Sequence, residues 1–391
     1  MDPERAGGIT GPARRQDDKA NLALAADRTE STRMERRIDA GSLEALVQAI
    51  LERAGSRPAE AAILARHLVL ANLVGHDSHG IIRLSNYLPW LAEGKVRANR
   101  AARIVHETPV SILVDGDLGF GQVIGEQAQD LAAAKAQATG IAIVGLRNTG
   151  HVGRVGHFAE RAAAAGLVSL HFVNTTGFGV LVAPVGGREA RLSANPLAIG
   201  MPRGTDPPLV LDISTASIAE GKIKVARNAK KPLPEGCVTD ADGNPTTDPR
   251  AFYGPPRGAI LPMGGHKGYA LSVMIEALAG ALSGAGCSGD TPERKAALVN
   301  NMTSILIRPD VLGAGETLAG ELQALETWVR SATPSAPGAE ILLPGERERR
   351  TRTDRERHGI PIDATTFAEL RDAAEHHGHG PAFAALARGT P

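Results

Sequence analysis

The segment GHDSHGIIRL, residues 75–84, places two histidines, a serine and an arginine within eight positions. If a helix begins near Asp77, then His79 and Arg83 lie four residues apart and share one face. The arginine can bind a carboxylate through two parallel N–H bonds, while the imidazole exchanges a proton with an adjacent carbonyl oxygen. Ser78 can hydrogen-bond the ring of His79 and fix its tautomer. This chemistry suits a 2-oxo acid.

Two other interpretations fit the same segment. Ser78 could cap an ordinary surface helix that leaves His79 and Arg83 in solvent. The spacing of His76 and His79 also puts two rings on one helical face, as in the zinc site of a metal-dependent hydrolase or lyase. No third ligand follows nearby in the sequence. We therefore predict no metal site.

Three further clusters combine a reactive side chain with glycines or a strand end. His151 follows a predicted strand in LRNTGHVGRVGHF, where it could be an acid/base or contact a cofactor. His266 begins a predicted helix in MGGHKGYA, whose free amides could hold a phosphate. Asp212 ends a strand in DISTASIAEGKI, and Lys222 follows it. A loop histidine, a helix cap and a surface lysine are the ordinary alternatives.

Hydrophobic periodicity predicts the elements that position these residues. Residues 42–94 have the spacing of amphipathic helices, and the following segments alternate strand-type apolar runs with alanine-rich helices. Residues 230–258 are rich in Pro, Gly and Asp and are predicted to be loop. The apolar run at 268–284 predicts a buried helix. We expect strands at 110–116, 140–148, 166–174, 195–202, 207–214 and 304–309.

A glycine-rich turn after the first predicted strand imitates the phosphate loop of a Rossmann fold. Gly121 and Gly125 are one residue too far apart for that loop, and the next strand ends at Arg147 rather than at an acidic residue. An NADP-binding variant that uses Arg147 is the alternative. We favour the interpretation that Gly119 and its neighbours serve only the backbone conformation of the turn.

The composition excludes some classes of protein. The 391 residues include 42% hydrophobic and 22% charged residues, and Lys+Arg and Asp+Glu both total 43. This balance gives no field that favours nucleic acid or an anionic membrane, and no apolar run has the length of a membrane helix. The two cysteines, Cys237 and Cys287, lack CxxC spacing, so we expect a reducing, cytoplasmic location.

Motifs spread over residues 42–380 resemble the malate/L-lactate dehydrogenase family of NAD(P)-dependent 2-oxo acid reductases. They are GHDSHGIIRL, DGDLGFGQVIG, the HVG loop, GGREARLSANPLAIGMP, DISTASIAEGKI, LPEGCVTDADGNPTTDP, LPMGGHKGYALSVMIEALAGALSG and LLPGERE. The resemblance implies an α/β fold that binds NAD or NADP without a Rossmann domain, and a homodimer. We expect a disordered extension at 1–40, a helical domain at 41–110 to which 340–391 return, and an α/β dinucleotide- and substrate-binding domain at 111–339.

The resemblance also implies roles for individual residues. Either His79 or His151 serves as the acid/base, with Ser78 and Lys222 as the other catalytic residues. The substrate contacts correspond to Arg83, Thr175, Ala194, Glu220 and Gly221. The cofactor contacts correspond to His151, Val152, Gly153, Arg154, Val155, Asp212, Ile213, Ser214, Gly265, His266, Pro344, Gly345, Glu346 and Arg347.

One match to the family pattern and two departures from it bear on the substrate. Lys222 resembles the alcohol-forming members, whereas imine-reducing members have an aspartate in that position, so we predict a 2-hydroxy acid dehydrogenase with a cyclic imine carboxylate reductase as the alternative. The sequence Ser193-Ala194-Asn195 replaces the more usual Gly-Thr-Asn, and Cys237 stands where many relatives carry tryptophan. Because the threonine hydroxyl is missing, the identity of the substrate acid stays open. A further alternative is a binding module that holds the dinucleotide without catalysing a reaction.

Overall fold

The computed structural model describes residues 36–228, 230–289, 297–315 and 317–388. Its helices are α1 (Ala40–Arg53), α2 (Pro58–Leu73), α3 (Leu84–Ala92), α4 (Gly121–Thr139), α5 (Gly156–Ala164), α6 (Glu220–Asn228), α7 (Pro249–Tyr253), α8 (His266–Ile275), α9 (Leu318–Arg330), α10 (Glu346–His358), α11 (Ala364–His376) and α12 (Gly380–Arg388). Its strands are β1 (Arg36–Ile38), β2 (Arg103–Glu107), β3 (Ser111–Asp115), β4 (Ile141–Thr149), β5 (Val168–Thr176), β6 (Leu197–Arg203), β7 (Asp206–Ile213), β8 (Val238–Thr239), β9 (Pro245–Thr246), β10 (Ala259–Ile260), β11 (Val299–Ile307) and β12 (Ile360–Ile362).

The main sheet has seven strands in the order β2-β3-β4-β11-β5-β6-β7. Only β3 and β4 pair in parallel, and all other neighbours in this sheet pair antiparallel. A Rossmann domain is built on a mostly parallel sheet with helical crossovers. The prediction of an α/β fold without a Rossmann domain is therefore confirmed.

The helices near both ends of the chain pack around one aliphatic core. Leu43, Ile50, Leu64 and Leu68 are fully buried there, together with residues of α11 and α12. Each such side chain contributes about 1.5–3 kcal/mol by leaving water. Strand β12 pairs with β1 and thereby returns the C-terminal segment to this helical cluster. The domain boundaries stay a prediction, although β2 already belongs to the main sheet.

Helices α4 and α5 pack against the main sheet and explain the glycine-rich turn. A Cβ at Gly125 would lie 2.7 Å from the ring of Phe158, and a Cβ at Gly121 would lie 2.3 Å from the carbonyl oxygen of Gly150. Close packing therefore requires glycine at both positions, whereas the prediction gave these glycines a role only in the backbone conformation of the turn. The guanidinium of Arg147 donates to Asp115 at 3.0 Å.

Three expectations need correction or fall outside the described chain. The predicted loop at 230–258 contains β8, β9 and α7. The predicted buried helix at 268–284 is α8 followed by a π-helical turn, Glu276–Ala281, and Val273, Met274 and Leu282 on it are exposed. Most of the predicted extension, residues 1–35, lies outside the described residues. No helix in the described ranges has both the length and the apolarity to cross a membrane.

Candidate active site

The segment after α2 is not the continuous helix expected from Asp77. It forms two 3₁₀ turns, Asp77–His79 and Ile81–Arg83, separated by the extended Gly80. Asn72 shapes this path, since its side chain accepts from the backbone N–H of Ile81 at 2.9 Å and donates to Asp77 at 2.7 Å. A side chain at Gly80 would collide with that amide at 2.2 Å. The alternative in which Ser78 caps a surface helix is therefore wrong.

The two turns nevertheless bring the predicted chemical groups together. Nε of Arg83 donates to the carbonyl oxygen of Ser78 at 2.6 Å, and the Ser78 hydroxyl lies 3.0 Å from Nδ1 of His79. The serine and histidine contact was predicted, although its backbone geometry was not. A cation, a hydroxyl and an imidazole thus share one edge of the helical cluster.

The second predicted histidine stacks on the first. The rings of His79 and His151 have centroids 5.4 Å apart and an interplanar angle of 19°. His151 follows β4, and the side chain of Asn300 on β11 accepts from the neighbouring Val152 N–H at 2.9 Å. The hydroxyl of Tyr87, on α3, lies 2.7 Å from Nδ1 of His151. Side chains of the helical cluster and of the main sheet therefore form one site.

Both histidines are held in the neutral form near pH 7. Withdrawal from water is the main cause that lowers the pKa of His79 to about 3, and the charges of Arg83, His76 and Arg154 act in the same direction. Withdrawal from water also lowers the pKa of His151 well below its usual value, with Arg83 and His79 as lesser causes. A neutral imidazole is a base toward a hydroxy acid.

The residues assigned to substrate contacts lie in several places. A Cβ at Gly221 would be 3.3 Å from Cβ of Ser78, so the start of α6 lies against the histidine turn. The carboxylate of Glu220, in contrast, accepts from the Tyr253 hydroxyl at 2.9 Å, and Lys222 is exposed. The hydroxyl of Thr175 accepts from Asn300 at 2.8 Å, which links it to the loop of His151.

The segments assigned to cofactor contacts converge on the end of β7. The hydroxyl of Ser214 donates at 3.1 Å to the backbone carbonyl of Ala194, a residue assigned to the substrate. The carbonyl of Pro344 accepts from the N–H of Val210 at 3.2 Å. Arg154 lies 3.4 Å from Asp212, measured from Nε to Oδ2, and also pairs with Glu160. Ile213 is the last residue of β7 and pairs with Leu197 on β6.

The other residues assigned to cofactor contacts differ in position and in exposure. Gly265, with φ 62°, precedes α8 at the rim of an open cavity of about 710 Å³, and His266 beside it is exposed. Gly345 has φ 88° and immediately precedes α10. The carboxylate of Glu346 is engaged by Arg330 and by the N–H of Leu343. The remaining assigned residues are Gly153 and Val155, which are buried, and Arg347, which is exposed.

Buried polar atoms without partners fit a dinucleotide at this place. Arg154 is only 4% exposed, yet one of its terminal nitrogens has no hydrogen-bond partner. Its Nε and Oδ2 of Asp212 face each other as an ion pair at 3.4 Å but do not form a hydrogen bond. Such atoms are costly unless a ligand satisfies them. A phosphate oxygen suits the arginine, and a ribose hydroxyl suits the carboxylate.

The residues of the metal hypothesis have separate partners. His76 lies between Asp212 and Glu348, at 4.0 and 3.5 Å, whereas Asp77 pairs with Arg355 at 2.6 Å. In the parts of the chain that the structure describes, the one group of side chains close enough to share an ion is His67, Glu126 and His157.

A network of hydrogen bonds explains why these three side chains lie close together. Arg66 donates to both oxygens of Glu126 at 3.0 Å, and the two histidines lie 2.9 and 3.0 Å from the same carboxylate. These contacts neutralise the carboxylate and lower the pKa of Glu126 against the effect of its burial. The network joins α2 to α4 and α5.

Sequence reasoning missed Tyr87, Gln122, Asn300 and Asn72. Tyr87 lies four residues after Arg83, a spacing that could have indicated it. Gln122, which donates to the Tyr87 hydroxyl at 2.7 Å, lies in the discounted glycine-rich segment. Nothing local in the sequence marks Asn72 or Asn300, because their partners come from distant elements or from an unforeseen turn.

A family model described as malate/L-lactate dehydrogenase matches residues 38–371. The chain belongs to the malate/L-lactate dehydrogenase family. Within this family, the chain is 42% identical over 348 residues to hydroxycarboxylate dehydrogenase B of Escherichia coli K12, covering 88% of the chain and 94% of that relative. The recognised motifs and the fold are thereby confirmed.

Two solved structures of family members have the same fold. Malate dehydrogenase from Pyrococcus horikoshii OT3 has a TM-score of 0.79 at 31% identity, covering 88% of this chain and 96% of that one. Delta1-piperideine-2-carboxylate reductase from Pseudomonas syringae has a TM-score of 0.77 at 33% identity, covering 87% of this chain and all of that one. The fold thus accommodates enzymes named for an alcohol and for an imine substrate.

Proposed function

We propose that the protein catalyses reversible hydride transfer between a nicotinamide dinucleotide and C2 of a small 2-oxo or 2-hydroxy acid. The observation that carries this proposal is the Arg83 guanidinium, bonded to the turn that holds His79, whose ring stacks on that of His151. An arginine beside two neutral imidazoles offers one place for a carboxylate and another for the adjacent oxygen. NADH or NADPH, when bound, supplies the hydride.

The side chains divide the remaining work of the reaction. Arg83 binds and orients the carboxylate, which places C2 and its oxygen over the histidine pair. In the reducing direction, one imidazole donates a hydrogen bond to the carbonyl oxygen and one supplies the proton. In the oxidising direction, a neutral imidazole accepts the hydroxyl proton. Lys222, near the start of α6, stabilises the developing alkoxide as a cation.

The bound carboxylate also prepares the acid. Arg83 is a cause of the lowered pKa of both His79 and His151. A substrate carboxylate paired with Arg83 compensates this positive charge, so the pKa of both rings rises on binding. The catalytic histidine therefore takes up its proton once the substrate is bound.

We propose that Arg154, Asp212 and Ser214 hold the dinucleotide, with the backbone around Gly265 and Pro344 beside it. Two observations support this assignment: a buried terminal nitrogen of Arg154 has no partner, and the ion pair of Arg154 with Asp212 lacks a hydrogen bond. Titrations of NADH and of NADPH, followed by the change in reduced-nicotinamide fluorescence, measure the preference between them. Saturable binding of at least one supports the assignment, and binding of neither contradicts it.

A panel assay tests the reaction. Pyruvate, oxaloacetate and other 2-oxo acids are mixed with enzyme and each reduced dinucleotide, and the loss of nicotinamide absorbance is followed. We expect turnover of at least one 2-oxo acid. Dinucleotide binding without turnover of any oxo or imino acid would instead indicate a silent binding module.

The second candidate is a cyclic imine carboxylate reductase. The similarity to the Pseudomonas reductase favours it, because its substrate also has a carboxylate next to the reducible carbon. The cation at Lys222 favours the alcohol-forming reaction, since it stabilises an alkoxide and repels a protonated imine. Parallel assays with pyruvate and with a cyclic imino acid decide between the two candidates.

We also propose a homodimer in the cytoplasm. The exposed Val273, Met274 and Leu282 form an apolar face on α8 and its π-helical turn that a second copy would cover. Light scattering should give twice the chain mass of 40.7 kDa, and a monomer at micromolar concentration would contradict the proposal. The low cysteine content supports the location, which cell fractionation would test.

A further inference from the structure

A buried chain of polar side chains leads from the protein interior to His151. Gln122, the second residue of α4, donates from Nε2 to the Tyr87 hydroxyl at 2.7 Å. That hydroxyl lies 2.7 Å from Nδ1 of His151. Gln122 is fully buried and Tyr87 is 2% exposed, so water does not compete for either contact. Three side chains from α3, α4 and the loop after β4 thus form one line.

The orientation of the Gln122 amide, whose Nε2 faces the Tyr87 hydroxyl, sets the order of donors in this chain. An amide N–H can only donate, so the Tyr87 oxygen accepts from Gln122. The phenol keeps its own proton, because withdrawal from water raises the pKa of Tyr87 to about 12. That proton is left for the next contact, at Nδ1 of His151. A neutral imidazole that accepts at Nδ1 carries its proton on Nε2.

We propose that Tyr87 and Gln122 are positioning residues that fix His151 as its Nε2–H tautomer. The inference rests on the proposed function for its consequence: His151 acts as a neutral donor to the 2-oxo oxygen, and His79 delivers the proton. The two histidines differ in their partners in the way this division needs. Nδ1 of His79 faces the Ser78 hydroxyl, which can donate or accept. Nδ1 of His151 faces the Tyr87 hydroxyl, which is oriented to donate because its oxygen already accepts from Gln122.

The packing around Gln122 places the loop of His151 directly on this chain. Gly153 has φ 76°, and a Cβ there would lie 3.2 Å from Cγ of Gln122. The Tyr87 ring packs beside Phe120 and Trp90, with centroid distances of 5.9 and 6.0 Å. Tyr87 is therefore also a core residue, and a test must separate tautomer control from packing.

The tautomer is measured by ¹⁵N NMR of the histidine rings in the full-length protein at pH 7, without substrate. The wild-type protein should show the proton of His151 on Nε2. Tyr87→Phe keeps the ring and its packing but removes the hydroxyl, and Gln122→Met removes the donor behind it. Both variants should give a mixed population of the two tautomers. A histidine-to-asparagine variant, His151→Asn, assigns the signal.

Gln129→Met is the matched control. Gln129 lies on the same helix, is buried, and donates to Ser304 at 2.9 Å, away from the site. The Gln129→Met variant should leave the tautomer of His151 unchanged and should lower the free energy of unfolding by a similar amount. A wild-type proton on Nδ1 would overturn the proposal, because it would show that the chain runs in the opposite direction. An unchanged tautomer in Tyr87→Phe would overturn it as well.

Kinetics supply a second reading once a substrate is known. Tyr87→Phe should lower kcat by about tenfold and change KM by less than about threefold, since a misplaced proton weakens the transition state more than the bound ground state. The NMR result needs no substrate. Failure of the tautomer prediction is therefore distinguishable from failure of the proposed reaction, which would appear as absent turnover in the wild-type enzyme.

Discussion

Acidification should accelerate reduction over a wide range of pH. In the proposed mechanism the acid for reduction is His79, and withdrawal from water lowers the pKa of His79 to about 3 in the free protein. At pH 7 about one His79 in 10,000 is then protonated, compared with about one in four for a histidine of ordinary pKa 6.5. The protonated fraction rises about tenfold for each pH unit of acidification as long as the pH stays above that pKa.

The magnitude follows directly for kcat/KM, which reports ionisations of the free enzyme. Between pH 7 and pH 5, kcat/KM for reduction of the 2-oxo acid should rise about 100-fold, without a plateau. Oxidation of the hydroxy acid needs the neutral base, so its kcat/KM should change little over the same range. Initial rates at saturating dinucleotide measure both profiles, and enzyme returned to pH 7 after exposure to pH 5 checks for inactivation. A plateau of the reduction profile below about pH 6 would refute the reasoning, because it would show an ordinary histidine pKa.

Three further predictions concern stability, cofactor binding and the loop of His151. His171 is fully buried between Ser304 and Ser169, and withdrawal from water lowers its pKa to about 3. Neutral His171 therefore makes its full contribution to the free energy of unfolding above pH 6.5, and this contribution decreases as the pH falls toward 3, by about 2 kcal/mol at pH 5. Denaturant unfolding at pH 7 and at pH 5 should give a smaller difference in the free energy of unfolding for His171→Gln than for the wild type. Asp212→Asn should weaken dinucleotide binding by about tenfold or more through loss of a charge-assisted acceptor, and unchanged affinity in a fluorescence titration would remove Asp212 from the site. Asn300→Ala breaks the bonds to Val152 and Thr175, so it should lower kcat/KM by at least about tenfold, and wild-type kinetics would show that this bridge is dispensable.

The fold was predictable where a pattern is local or where several motifs occur in the family order. Strands β3 to β7 and the helices between them follow from apolar alternation and alanine-rich periodicity. The order of strands in the sheet does not, because β11 inserts between β4 and β5 from more than 120 residues away. The outward-facing side of α8 was also missed, since an apolar run looks the same whether the protein interior or a second chain covers it.

The site was predictable in its residue types and only partly in its geometry. His79, Ser78 and Arg83 were identified from their spacing, but that spacing assumed a helix where Asn72 enforces two 3₁₀ turns. The convergence of His151 on His79 depends on packing between the helical cluster and the sheet, which no local pattern encodes. Tyr87 and Gln122 were missed for the same reason, because their function lies in contacts with each other.

Binding of oxamate, an unreactive analogue of a 2-oxo acid, to the NADH-saturated enzyme tests the central claim most directly. Calorimetric titration compares the wild type with Arg83→Met and with Arg371→Met, a control in which an exposed arginine paired with its neighbour Asp372 is removed. The wild type and the control should bind oxamate alike, and Arg83→Met should bind at least about 30-fold more weakly, the loss expected for a bidentate charged contact. Equal binding by Arg83→Met, with unchanged thermal stability, would contradict the claim that this cation holds the carboxylate.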